Sequence, residues 1–332
     1  MKRIIKIPVV LYVLVVFLSS CTPKNQGGVS TIRLKYNHTV AETSSWHTYS
    51  LKFADMIKES TGNRYVVDVF ANEQLASGSQ AKTLEMLRAG LIDIDLHSTT
   101  IWAGIDDRFA IALMPWIMPD YDTVDSFLTG EPGQAFLQLV AENGCVPLAL
   151  GENGYRQVLN TKKVINSPAD MKDLKIRVPG MSMFVDFYRT LSADPTTMNW
   201  GEVFSALQQK TIDGMESPPE IIESGRFQEV NNYMTMWNAN YDPLILSMSQ
   251  KLWDSLNDND RKIFVTAAKQ AMNEQTEYQR KANETSANNL TSTLTINHLT
   301  QEQIKVFRTQ VQPVYDKYRD IFPESIRRAL NY

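Results

Sequence analysis

The chain has 332 residues, 43% of them hydrophobic, and 33 Lys and Arg stand against 37 Asp and Glu for a net charge of −4. That length and apolar content suffice for a packed core, most naturally divided between two domains. The acidic balance excludes nucleic acid as a partner, which needs a basic face, but not a small anion, whose binding a few local Arg side chains decide.

The chain opens with Lys2, Arg3 and Lys6, then an apolar run over residues 7–18 and Leu18-Ser19-Ser20-Cys21. This is a basic region, a hydrophobic stretch too short to span a bilayer, and a small-residue cleavage zone. A Cys placed just after Leu-Ser-Ser resembles the lipobox of bacterial lipoproteins. The expectation is a lipoprotein signal peptide over residues 1–20, lipidation of Cys21, a lipid anchor to the membrane, and a polar tether over residues 21–30. The alternative is an ordinary secreted chain with Cys21 near the cut by chance. Either way the protein is exported. Loss of residues 1–20 removes three positive charges and no acids, taking the net charge from −4 to −7. With Cys21 lipidated, Cys145 is the remaining thiol, no intrachain disulfide can form, and the fold rests on packing. No later segment is apolar enough to be a membrane span.

Beyond the tether, strands and helices alternate, which predicts an α/β fold with mostly parallel sheet. Residues 32–36 read as a strand. Residues 45–60 follow as an amphipathic helix with Trp46, Tyr49, Phe53, Met56 and Ile57 on one face, stopped by Gly62; the Trp46 stripe reads as packing. Residues 65–70 form a β-branched strand, 80–89 a helix closed by Gly90, and 91–96 a buried strand. His97 and Ser98 stand at its carboxyl end, where open α/β sheets place ligands; a core or surface His is the commoner role for a lone imidazole. A second block begins with a strand at 156–159. In Leu174-Lys175-Ile176-Arg177-Val178-Pro179, Ile176 and Val178 share one strand face and Arg177 takes the other. Pro179 ends the pairing. A guanidinium at a strand mouth suits a carboxylate approaching in bidentate fashion, supplied by the protein or by a ligand.

Asn199 and Glu202 form a capping-box pattern before the helix that carries Trp200. Residues 87–93 and 207–213 echo each other at three positions in seven, each leaving a helix and entering a strand, as two lobes on similar plans would. A strand-like run covers 243–248. Residues 258–289 then keep helical spacing without Gly or Pro, a helix of about 45 Å. That exceeds one small domain, so it is expected to run across both. Thr300 and Gln303 cap a further helix to about residue 319, and Pro323 opens a last short one.

Taken in order, Gly154-Tyr155-Arg156-Gln157, Lys175-Ile176-Arg177-Val178-Pro179, Pro195-Thr196-Thr197-Met198-Asn199-Trp200-Gly201-Glu202-Val203 and Thr211-Ile212-Asp213-Gly214-Met215-Glu216-Ser217-Pro218 resemble one family. It is the substrate-binding subunit of tripartite ATP-independent periplasmic (TRAP) transporters, the DctP family. The resemblance covers nearly the whole exported chain, including Leu113-Met114-Pro115-Trp116 and the long helix. It implies a two-lobed periplasmic binding protein fold with hinge strands, closing on a ligand, with the long helix bracing the hinge. Lobe I would take residues 31–154 and 243–282, and lobe II residues 155–242 and 283–332.

The same resemblance gives Arg177 the main salt bridge to a ligand carboxylate and Arg156 a second cationic contact, although Arg156 could simply pair with Glu216. Glu216 would hold the arginines in place, and Trp200 would pack on the ligand body. Two positions depart from the family. Ser217 stands where many members have Asn, and Leu96-His97-Ser98-Thr99 lacks the acid that sialic-acid-binding members carry. Both argue against sialic acid. Ser98, His97, Thr39, Ser217 and Tyr241 complete the candidate contacts, with Trp237 beside the second lobe crossing. The implied function is capture of a small organic acid outside the cytoplasmic membrane and delivery to the transporter's membrane subunits, with no chemistry, metal or cofactor of its own. A uronate or related sugar acid is the first expectation, because Trp200, Ser217 and Ser98 suit a hydroxylated body; a C4-dicarboxylate or other short acid is next. The rivals are a secreted enzyme acting on an acidic sugar, for which Glu152 and Glu216 would have to converge, and the ligand-binding subunit of a sensor. No His-x-x-x-His pair, Gly-x-Ser-x-Gly elbow or Walker loop favours the enzyme.

Overall fold

The computed structural model describes residues 31–330 and Tyr332, so the expected signal peptide, Cys21 and the tether lie outside the described residues. Nine strands form one mixed sheet: β1 (Ile32–His38), β2 (Tyr65–Phe70), β3 (Ile94–Ser98), β4 (Cys145–Asn160), β5 (Lys175–Val178), β6 (Asp194–Thr197), β7 (Gly214–Ser217), β8 (Tyr233–Ser249) and β9 (Thr295–His298). They lie in the order β2-β1-β3-β8-β4-β7-β5-β6, with β9 also on β8. The outer pairs are parallel, as the alternation of strands and helices predicts, but the centre is antiparallel.

The long strands β4 and β8 run through both halves. β3 pairs with the end of β8 over Leu244–Met248, while β7 pairs with the end of β4 and β9 with the start of β8. The result is two half-sheets sharing two strands, the two-lobed α/β plan. One core packs β1, β2 and the helix Ser45–Ser60 against Phe264, Ala268 and Met272 of the long helix Asp258–Leu290. Another packs the helix Trp200–Gln208 around Met215 and Met234 and reaches Leu290 at the far end of the same helix. The brace therefore serves both halves.

Three local differences from the sequence expectation have physical causes. β3 starts at Ile94, not Leu91: Leu91 is exposed, and the Asp93 carboxylate accepts from the Lys35 backbone N–H of β1 at 2.8 Å, a side chain standing where a ladder bond would. The helix opened by Thr300 breaks after Gln310, because Pro313 cannot donate to it and starts a new helix, Gln312–Tyr318. β4 is sixteen residues long despite Pro147, Gly151 and Gly154, because register shifts between Pro147 and Ala149, between Glu152 and Gly154, and between Arg156 and Val158 absorb the irregularity.

The shift at Glu152 and Gly154 lies opposite Pro243 and Asp242. Pro243 has no N–H to give, so the backbone there needs other partners. The long helix supplies them from one buried face. Gln275 donates to the Glu152 carbonyl at 2.7 Å and accepts from its N–H at 2.9 Å. Gln279 and Asn283 donate to the Asn153 carbonyl at 3.2 and 3.0 Å. Gly154 takes φ +105°, and a Cβ there would lie 2.4 Å from Asn283 Nδ2, so both conformation and space call for glycine.

Glu220, in the short helix after β7, accepts from the Ser45 N–H at 3.0 Å, joining the two halves. Burial pushes its carboxyl up to about 7. A folded-state pKa above the unfolded value means the folded protein takes up the proton, so this group adds stability as pH falls from about 7 toward 4.5. Melting temperatures measured between pH 8 and pH 5 should show this rise, and Glu220→Gln should flatten part of it. An unchanged pH slope in the variant would contradict the assignment.

Candidate functional site

Strand alternation builds the site. On β5, Ile176 and Val178 are fully buried in the core, and Arg177 projects from the opposite face. Its side chain is also buried, yet no carboxylate of the described residues pairs with it. Nε and Nη2 both donate to the Met198 carbonyl, at 3.0 and 2.7 Å, and Trp200 lies beside the guanidinium with its ring centroid 5.7 Å away. Three of its five N–H donors therefore have no partner among the described residues. Burial pulls its pKa down to about 10, against a partial pull upward from Glu216.

Arg156, on β4, has the opposite surroundings. It pairs with both Glu216, across the β4–β7 ladder, and Asp242 of β8, with Nη2–Oε1 at 3.0 Å and Nη1–Oδ2 at 2.5 Å. Burial alone would lower its pKa, but the two carboxylates outweigh burial and hold it above the ordinary guanidinium value. Burial raises Glu216 even so. The two arginines thus divide the work: one is spent on the protein, the other is not.

Both line a cavity of about 30 Å³ between the half-sheets, together with Thr39, Ser98, Trp200 and Ser217. Six of the eight sequence-nominated contacts are therefore brought together. Three buried polar atoms of its lining residues have no partner among the described residues: Trp46 Nε1, Asn153 Oδ1 and Ser217 Oγ. Buried polar groups are nearly always bonded, so these three atoms leave hydrogen-bonding capacity unused around the cavity.

The structure does not bring His97 and Tyr241 to the cavity. Both ring nitrogens of His97 face acids, Asp95 and, at 2.6 Å, Glu73; burial opposes the charge, but these carboxylates raise the imidazole to about 10. Glu73 also accepts from Thr39 at 2.7 Å, so this cluster buttresses the wall from behind. The Tyr241 hydroxyl donates to Glu152 at 3.1 Å. The reason is the same in each case. Neighbours on a strand face opposite ways, so Ser98 and Asp242 toward the cleft put His97 and Tyr241 on the reverse side. Trp237 is core, with its indole N–H on the Arg156 carbonyl at 3.1 Å. The capping box at Asn199 differs too: its side chain meets Glu202 at 3.4 Å, and the Trp200 N–H is capped by Gln80 from the other half at 3.1 Å.

Glu152 and Glu216 do not converge as an enzyme's acid pair. Glu152 is held by Arg280 at 2.8 Å, and Glu216 stands opposite Val158, six residues and about 20 Å further along β4. Trp46, read as packing, does pack in the core with β1 and β2, and it also borders the cavity. Sequence reasoning did not nominate Gln80, Asn153 or Asp242: Asn153 was hidden in an Asn-Gly pair that reads as a turn, and Asp242 had no signal beyond its place before Pro243.

Residues 36–320 match the family described as bacterial extracellular solute-binding protein, family 7, DctP. The chain is 27% identical to the 2,3-diketo-L-gulonate-binding periplasmic protein of Escherichia coli, over 80% of this chain and 79% of that one. A TRAP periplasmic solute-binding protein of Ralstonia eutropha, solved with (S)-2-acetolactate, superposes with a TM-score of 0.86 at 28% identity, covering 90% of this chain and 98% of that one. One from Polaromonas, bound to D-erythronate, gives 0.84 at 27% identity, covering 90% and 97%. No helix among the described residues is long and apolar enough to cross a membrane. The chain belongs to the DctP family of TRAP periplasmic solute-binding proteins, which bind small acids for transport and are not enzymes.

Proposed function

We propose that this chain captures a small hydroxylated organic acid by a salt bridge between the ligand carboxylate and Arg177, and presents it to the membrane subunits of a TRAP transporter. The observation that carries this reading is a buried guanidinium with unused donors, set among orphaned polar atoms in one cavity. A uronate or related sugar acid comes first and a C4-dicarboxylate or other short acid second. Trp200 offers a flat face, and Trp46 Nε1, Asn153 Oδ1 and Ser217 Oγ offer both donor and acceptors to a polar body. Arg156 retains one Nη1 hydrogen for a second contact. Lobe I comprises residues 31–154 and 243–282, lobe II residues 155–242 and 283–332, and they hinge where β4 shifts register opposite Asp242 and Pro243. Closure is a population shift that a ligand drives by touching both lobes. Cys21 carries a lipid anchor that keeps the protein at the membrane from the periplasmic side.

A thermal-shift screen of organic acids on the exported form tests this. A ligand at one hundred times its dissociation constant adds about 2.7 kcal/mol of stability. Uronates, aldonates or short hydroxy acids should raise the melting temperature of the wild type and leave an Arg177→Met variant unmoved. Silence from every carboxylate in the panel would overturn the reading.

A further inference from the structure

We propose that Asp242 sets the charge and hydrogen-bond polarity of the ligand cavity, so that it selects hydroxylated monocarboxylates and rejects dicarboxylates. The proposal rests on the cleft being an acid-binding site and names the class of acid. Asp242 is fully buried on β8, behind the cavity wall, and acts through three neighbours. Arg156 Nη1 pairs with Oδ2 at 2.5 Å, and Glu216 pairs with the same guanidinium. Two carboxylates thus neutralise that cation and leave Arg177 as the lining charge still available.

Asn153 adds the second constraint. Its Nδ2 donates to Asp242 Oδ2 at 2.7 Å, and a carboxylate cannot donate back, so the amide orientation is settled by its partner. The Asn153 carbonyl oxygen is consequently the atom without a partner at the cavity. Ser98 is committed in the same way. Its hydroxyl donates to Asp242 at 2.8 Å, while its oxygen accepts from the Thr100 N–H at 3.1 Å. The Asn153 oxygen suits a ligand hydroxyl. A second ligand carboxylate at this position would meet lone pairs with a carboxylate behind them, and the other lining cation, Arg156, is already neutralised by Glu216 and Asp242.

Titration calorimetry at fixed ionic strength tests this with two sets of probes. The monocarboxylates are D-galacturonate, D-galactonate and D-erythronate; the dicarboxylates, without a hydroxyl, are succinate and fumarate. The tightest monocarboxylate should bind wild type at least about tenfold more tightly than the tightest dicarboxylate. Asp242→Asn removes the charge and frees the Asn153 amide to turn, so the monocarboxylate-to-dicarboxylate affinity ratio should fall by about tenfold or more. A purely structural role for Asp242 would weaken both classes together and leave the ratio alone. Asn153→Ala keeps every charge, and should weaken the hydroxy acid while leaving dicarboxylate affinity within a few-fold of wild type. Equal or tighter dicarboxylate binding by wild type, or a ratio that neither variant moves, would overturn the proposal. If no acid of either class bound wild type, the acid-binding reading itself would fall, an outcome distinct from a wrong class preference.

Discussion

Arg177→Met should abolish useful ligand binding while leaving the ligand-free protein as stable as wild type, or more so. Removing one partner of a buried ion pair costs about 3–5 kcal/mol, so affinity should fall by roughly 10²–10³-fold or more. The ligand-free arm has the opposite sign. Burial lowers the Arg177 pKa from the ordinary guanidinium value to about 10, so the folded state holds this proton less tightly than the unfolded chain. Below pH 10 the group is charged in both states and the folded state carries the whole penalty, roughly 3 kcal/mol. The penalty fades only as pH rises from about 10 toward the ordinary guanidinium value. A buried methionine at this position avoids it. Calorimetry and thermal unfolding on one preparation read both arms; a variant binding within a few-fold of wild type would contradict the assignment.

Arg156→Met should do the reverse and damage the fold before it damages recognition. Glu216 and Asp242 would remain buried without their common cation. The expected cost is about 3–5 kcal/mol of stability in urea denaturation without ligand. Burial already holds the Glu216 carboxyl above its ordinary value, and losing Arg156 removes the largest opposing influence. The folded variant should therefore take up a proton readily, and its deficit should shrink as pH falls from 8 to 5. A variant with wild-type stability that had lost only ligand affinity would make Arg156 a ligand anchor instead of a structural tie.

The contrast between these two arginines also shows what the residues alone disclose. Both stand in ordered motifs, so their placement at one cleft could be read before any coordinates existed. Their division of labour could not, because it depends on Asp242, eighty-six positions from Arg156 in the chain and paired with it only across the β4–β8 ladder. The helix Ser45–Ser60 and the long helix were legible because their apolar period is uninterrupted. The full extent of β4 was not, since Pro147, Gly151 and Gly154 are local breakers that the sheet tolerates through register shifts. His97 shows a subtler limit. Its strand end was placed correctly to within a few residues, but a one-residue difference on a strand exchanges the cleft face for the core face.

The most direct test of the central claim is a crystal structure of the exported protein with its tightest-binding acid from the thermal-shift screen. The ligand carboxylate should accept two N–H bonds from the Arg177 guanidinium at about 2.7–2.9 Å, with the ligand body against Trp200 and a hydroxyl on Asn153 Oδ1. A carboxylate seated elsewhere, such as the basic groove of Lys305, Arg308 and Arg319 beside Trp116, with Arg177 still held only by the Met198 carbonyl, would contradict it.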